Sequence, residues 1–130
     1  MRTAVRYYSR SGNTKAVAEA IARAAGVEAI SVDNNASSID DKVDILFVGG
    51  ALYAYGIDSH LKDFLAGLDR SKVGRAVVFS TSWLSKHSID LIKKGLSDKG
   101  IPVEDEYFYV KNKPNSAQEA EAERFAKKFI

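Results

Sequence analysis

The run Val43-Asp44-Ile45-Leu46-Phe47-Val48 is almost continuously apolar, and it limits what the chain can fold into more than any other stretch. A strand with one solvated face alternates apolar and polar residues. A strand that is apolar at successive positions is covered on both faces, which is the situation of a central strand in a parallel sheet between two layers of helices. Four further strand-like segments, Ala4–Tyr8, Val27–Val32, Ala76–Phe79 and Val103–Val110, are spaced around it. Four helical segments are interleaved with them. Asn13–Ala25 places Ala16, Val17, Ala20, Ile21 and Ala24 on one face and stops at Gly26. Ser59–Ala66 turns Leu61, Phe64 and Leu65 inward, Lys86–Lys99 carries Ile89, Leu91, Ile92 and Leu96 and ends at Gly100 and Pro102, and Ala117–Phe129 closes the chain. The polar stretch Asp33–Asp41 reads as a loop. Five strands alternating with helices predict an α/β domain with a parallel sheet, with no internal repeat or linker.

Length and composition narrow the function classes. At 130 residues and 45% hydrophobic content the chain fits one domain with a single core. It has no cysteine, which excludes disulfides, thiolate metal sites and cysteine nucleophiles. A net charge of +2, with lysines spread along the chain, does not point to nucleic acid. The sequence runs directly into strand-like residues at Thr3 to Tyr8 without a charged-then-apolar leader, and it holds no apolar stretch long enough to span a bilayer, so the expectation is a cytoplasmic protein without a membrane partner.

The first strand runs into Ser9-Arg10-Ser11-Gly12-Asn13-Thr14, which opens the first helix. A turn entering a helix N-terminus presents unpaired backbone N–H groups and the positive end of the helix dipole, a setting that suits phosphate. Ser9, Ser11 and Thr14 add hydroxyls, and Gly12 lets the backbone come close. The same residue types cap ordinary strand-to-helix turns, so the loop by itself leaves both readings open.

Open parallel sheets bind ligands beyond the strand C-termini, where the strand order reverses. The segments Gly49-Gly50-Ala51-Leu52-Tyr53-Ala54-Tyr55-Gly56 and Ser80-Thr81-Ser82-Trp83-Leu84-Ser85 end at the same edge as the serine-rich turn. Both carry large aromatics. A flat conjugated ring held between Tyr53 and Trp83 accounts for them; the competing reading has them cover helix ends.

These segments together resemble the flavodoxin family over essentially all 130 residues. Ser9 to Thr14 is similar to that family's FMN phosphate signature, in which a hydroxyl residue, any residue and a second hydroxyl residue precede Gly-Asn-Thr. Gly49 to Gly56 is similar to its glycine-started loop, with Tyr53 in the place of the usual flavin-flanking tryptophan. Lys113-Pro114-Asn115 before the last helix adds to the likeness, and the uninterrupted fifth strand matches the short form of the family. The resemblance implies one flavodoxin-like domain over residues 1–130, with strand order 2-1-3-4-5 and helices on both faces. It implies FMN held by Ser9, Arg10, Ser11, Gly12, Asn13 and Thr14, by Ala51, Leu52, Tyr53, Ala54, Tyr55 and Gly56, and by Ser80, Thr81, Ser82 and Trp83. A monomer exchanging single electrons with redox proteins, such as a reductase or ferredoxin-type donor, is the implied function. The resemblance also implies that the Ala54–Tyr55 peptide flips on flavin reduction. Alanine at position 54 is expected to flip less readily than glycine, leaving the one-electron-reduced flavin less stabilised.

The chain departs from the family in charge. Flavodoxins are usually acidic around the flavin edge, whereas Arg10, Lys86, Lys111 and Lys113 rim this edge against few acids such as Asp58. Arg10 reads as solvent-facing. His60 and His87 read as surface histidines, Glu104-Asp105-Glu106 as a guard on an edge strand, and Glu119, Glu121 and Glu123 as a solvated helix side opposed by Arg124, Lys127 and Lys128. Three other functions compete. Gly50-Ala51 followed by Tyr55-Gly56 also resembles flavodoxin-like protoporphyrinogen oxidases, which carry a long extra loop that this chain lacks. A phosphoacceptor domain needs carboxylates where Ser9 and Gly49 stand. A binding module that kept the fold without the flavin is the third.

Overall fold

The apolar run around Phe47 becomes strand β3 (Val43–Gly50), the middle of a five-stranded parallel sheet whose other members are β1 (Thr3–Tyr7), β2 (Ala29–Ser31), β4 (Val73–Thr81) and β5 (Val103–Val110). The strand order is β2-β1-β3-β4-β5. A computed structural model of the chain describes residues 1–53, 56–83 and 85–130. Its helices are α1 (Asn13–Ala25), α2 (Ser59–Ala66), α3 (His87–Asp98) and α4 (Ser116–Lys127). Among the described residues, no helix is long and apolar enough to cross a membrane.

The period of two along β3 explains why the run is apolar throughout. Ile45 and Phe47 enter one core with Val5, Val17, Ile21 and Phe79 under α1 and α4. Leu46 and Val48 enter a second with Leu61, Val78, Ile92 and Leu96 under α2 and α3. Each fully buried large side chain contributes about 1.5–3 kcal/mol, so both faces of the sheet are needed for stability.

Local signals set most boundaries. α1 stops at Gly26, whose φ of 71° allows it to donate back into the last turn. Asn115 and Gln118 cap α4 reciprocally. The larger departures from the sequence expectation are in three strands. β4 starts at Val73 instead of Ala76 and runs through Thr81 instead of ending at Phe79. β3 continues through Gly49 and Gly50, which pair with Phe79 and Ser80. β2 is confined to Ala29–Ser31, and the stretch expected as plain loop after it holds a 3-10 turn at Asn35–Ser37. Arg6 on β1 is buried and donates to the Ser37 carbonyl at 2.7 Å, tying that turn to the sheet; burial lowers its pKa.

The charged residues also find partners other than those expected. Glu104 meets Arg75 at 2.7 Å and Glu106 meets Lys128 at 3.2 Å. Glu119 and Glu123 reach across to Arg23 of α1, at 3.7 and 3.1 Å, instead of facing the basic residues of their own helix. These pairs lie near the surface and are worth up to about 1 kcal/mol each.

Candidate functional site

The C-terminal ends of β1, β3 and β4 bring three segments to one open cleft of about 290 Å³. Its lining is Ser11 and Asn13 from the first turn, Ala51, Leu52 and Tyr53 after β3, Thr81, Ser82 and Trp83 at the end of β4, and Asn112 after β5. Two larger grooves, of about 580 and 400 Å³, lie along α2. Neither brings the serine-rich turn together with Tyr53 and Trp83.

The turn is shaped by its own hydroxyls. Ser9 Oγ accepts from the Gly12 N–H at 2.9 Å, and Ser11 Oγ from the Asn13 N–H at 3.4 Å. Gly12 stands at the N-cap of α1 with φ 94°, and no side chain caps the helix there. A Cβ on Gly12 would meet nothing within 4 Å, so the backbone conformation and not crowding selects glycine. Thr14 is buried, and its Oγ1 lies 2.6 Å from Thr81 Oγ1, which joins the helix start to the end of β4. Asn13 Nδ2 donates to Asn112 Oδ1 at 3.5 Å.

The other two segments are held as firmly. Gly49 leaves no room for a side chain: a Cβ there would lie 2.3 Å from Phe79 Cδ2 and 2.5 Å from the Phe79 carbonyl oxygen. Tyr53 and Gly56 exchange both backbone hydrogen bonds, at 2.8 and 3.0 Å. Burial raises the Tyr53 phenol pKa against the opposing charge of Arg10, so the ring is neutral near pH 7. Trp83, at the end of β4, also lines the cleft and is 68% exposed. Ser80 is not at the cleft surface. Its hydroxyl is buried, donating to the Gly50 carbonyl at 2.6 Å, with Ser88 Oγ also at 2.6 Å. Ala54, Tyr55 and Leu84 lie outside the described residues.

Arg10 is not simply solvent-facing. Its guanidinium lies 4.0 Å from the Tyr53 ring centroid and donates to Asp58 Oδ2 at 2.8 Å. Asp58 is the N-cap of α2: its Oδ1 accepts from the His60 N–H at 2.7 Å and lies 2.8 Å from His60 Nδ1. The His60 ring stacks on Tyr8 at 5.1 Å with an interplanar angle of 10°. Burial pushes the Asp58 pKa up, but the His60 N–H, Arg10 and the His60 ring outweigh it, and the net shift is downward. His60 is therefore a carboxylate's partner and not an isolated surface histidine. Asn112 carries no sequence signal for the site, and Asp58, expected only as a rim acid, is an anchor for Arg10. Asp58 before Ser59 has the pattern of an N-cap, whereas its pairing with Arg10, 48 residues away, has no local signal.

The arrangement suits a flat anionic ligand. The lining combines a helix start without a side-chain cap, hydroxyl side chains and two aromatics, Tyr53 and Trp83, and no cluster of three or more metal-ligating side chains occurs among the described residues. A family model described as a flavodoxin domain matches residues 4–110. A flavodoxin from the domain Archaea superposes with a TM-score of 0.83 at 25% identity, covering 97% of this chain and 94% of that one. Oxidised flavodoxin 1 from Bacillus cereus gives 0.81 at 22% identity, covering 99% and 97%. The rubredoxin oxygen:oxidoreductase of Desulfovibrio gigas gives 0.82 at 20% identity over 96% of this chain, which spans 34% of that longer protein. Among curated proteins, none matches the chain by sequence.

Proposed function

The chain belongs to the flavodoxin family, and on that premise we propose that it binds FMN without covalent attachment and carries single electrons between redox proteins. The observation that supports this reading best is the cleft itself, where Tyr53 and Trp83 stand at the same sheet edge as the uncapped start of α1. Ser9, Ser11 and the backbone around Gly12 would hold the phosphate, with the helix dipole aiding them. Asn13 and Asn112 supply amide groups between the phosphate end and the rings. Tyr53 and Trp83 would sandwich the isoalloxazine ring and exclude water from its faces. When bound, FMN supplies reversible uptake of electrons and protons, and the chain's part is to position and tune it. Electron-rich rings on both walls disfavour added negative charge between them, so a low reduction potential is expected.

The direct test is titration of FMN into apoprotein. One equivalent is expected to lose its fluorescence on binding, and a chain that leaves FMN fluorescence unchanged refutes the reading. Trp83→Ala is expected to weaken binding about tenfold, or about 1.4 kcal/mol, from the loss of one stacking wall. Unchanged affinity and an unshifted flavin spectrum would remove Trp83 from the site. Turnover of protoporphyrinogen with a quinone as acceptor would replace the carrier by an enzyme.

A further inference from the structure

Beside the cleft the surface carries exposed aromatics among lysines. Trp83 and Tyr107 are two of the few large hydrophobic side chains left exposed among the described residues. Lys86 bridges Tyr107 and Tyr109: its Nζ lies 3.4 Å from the Tyr107 hydroxyl, 5.6 Å from the Tyr107 ring centroid and 5.5 Å from that of Tyr109. The Tyr109 hydroxyl in turn donates to the carbonyl of Ser82, next to Trp83. Lys93 also stands by Tyr107, 5.4 Å from its ring centroid, and donates to the Asp105 carbonyl at 3.0 Å. Lys111 and Lys113 are exposed and flank Asn112, which lines the cleft. Among the described residues none of these four lysines makes an ion pair. Two of the acids close by are paired elsewhere, Glu104 with Arg75 and Glu106 with Lys128, while Asp90, exposed on α3, offsets one charge of the four. Asp105, two residues from Tyr107, can offset another.

We propose that this face, from Trp83 along α3 and β5 to Tyr107, is the docking surface for an acidic redox protein whose carboxylates surround its own electron-transfer centre. The proposal rests on the flavin reading for its purpose, because it places the partner at the mouth of the cleft. Uncompensated lysines steer a partner of opposite sign and orient it. The exposed rings provide the apolar contact that a short-lived complex needs at its centre. Packing on Tyr107 and Tyr109 holds the Lys86 and Lys93 ammonium groups in place, so less side-chain freedom is lost on docking. A second copy of the chain would bring lysines against lysines on this face and is disfavoured.

The test uses the holoprotein, whose FMN content is read first from its absorbance. Absent FMN would overturn the carrier reading, while the binding measurements still decide the surface. The probes are a plant-type [2Fe–2S] ferredoxin, which is acidic, and mitochondrial cytochrome c, which is basic. Ferredoxin is expected to bind more tightly than the cytochrome, and its affinity is expected to fall about tenfold between about 20 and 200 mM NaCl. Lys86→Glu/Lys93→Glu is expected to weaken it about tenfold, Tyr107→Ser to weaken it at unchanged salt dependence, and Lys42→Glu/Lys72→Glu, at the starts of β3 and β4 and so at the other end of the sheet, to leave it unchanged. Tighter binding of the cytochrome, or equal ferredoxin binding by the Lys86→Glu/Lys93→Glu protein, overturns the proposal. So does binding of phosphatidylglycerol vesicles that competes with ferredoxin and is lost in the same variant, which would assign the face to a membrane.

Discussion

Gly49→Ala is expected to destabilise the fold by about 3 kcal/mol, because the new methyl group has nowhere to go. It would lie 2.3 and 2.4 Å from two ring carbons of Phe79 and 2.5 Å from the Phe79 carbonyl oxygen. The ring is fully buried in the core under α1 and α4, so it cannot swing aside without displacing its neighbours. The carbonyl belongs to the strand paired with β3, with Gly49 opposite Phe79 in the register, and moving it means separating two central strands. Gly50→Ala is the matched control. Its Cβ would lie 2.5 Å from Leu61 Cδ2, the far end of a side chain that can change rotamer, and the expected cost is about 1 kcal/mol. Urea unfolding of the pair measures the contrast. Equal midpoints for the two variants would show that the sheet yields at Gly49 and that the stated crowding is not a constraint.

Asp58→Ala is expected to cost about 3 kcal/mol at pH 7, since one carboxylate serves two elements. It caps α2 through the His60 N–H and anchors Arg10 at 2.8 Å. A lost cap is worth about 1 kcal/mol and a charged hydrogen bond about 1.5–3. Arg10 is half exposed and recovers part of its hydration, which keeps the total below the simple sum. The effect has a pH signature. The folded-state pKa of Asp58 lies below the ordinary value of 3.8, so its stabilisation is complete above the unfolded pKa and is lost as pH falls through the folded one. Wild type and Asp58→Asn, which keeps a capping oxygen but not the charge, should therefore differ most near pH 7 and converge in strong acid. Thermal unfolding at both pH values reads this directly. A gap between the two proteins that persists at low pH would mean that the carboxylate's charge is not what holds Arg10.

How far the molecule was legible depended on whether a residue's partner was near in sequence. Helices α1 and α2 and strand β5 begin and end where periodicity and terminal residues place them, because Gly12, Gly26 and Asp58 act within a turn of their own position. β4 was read too short because Ser80 and Thr81 look like loop residues. They tolerate burial only through the Gly50 carbonyl, Ser88 and Thr14, none of which local pattern can supply. At the other end, a Cβ on Gly74 would lie 2.6 Å from the Asp44 carbonyl oxygen, so glycine there lets β3 and β4 approach, a contact between segments about 30 residues apart that local pattern does not show. The candidate site divides in the same way. The turn from Ser9 to Gly12 could be read from its residue types, and Tyr53 and Trp83 from their place after β3 and β4. The Arg10–Asp58–His60 chain, and the lysines stacked on Tyr107 and Tyr109, come from segments that meet only in the folded molecule.

The contact between Thr14 and Thr81 bears on how the cleft can respond to what it holds. The two oxygens are 2.6 Å apart and either can be the donor. One hydroxyl proton lies between them and one remains over. Turning both hydroxyls about their C–O bonds exchanges the roles, leaving every heavy atom where it was. Thr81 lines the cleft, so the end of β4 can offer a neighbouring group a proton or a lone pair at the cost of two bond rotations. On the FMN reading, the proton arrangement of the protein follows a change in the ligand's protonation while its backbone stays still.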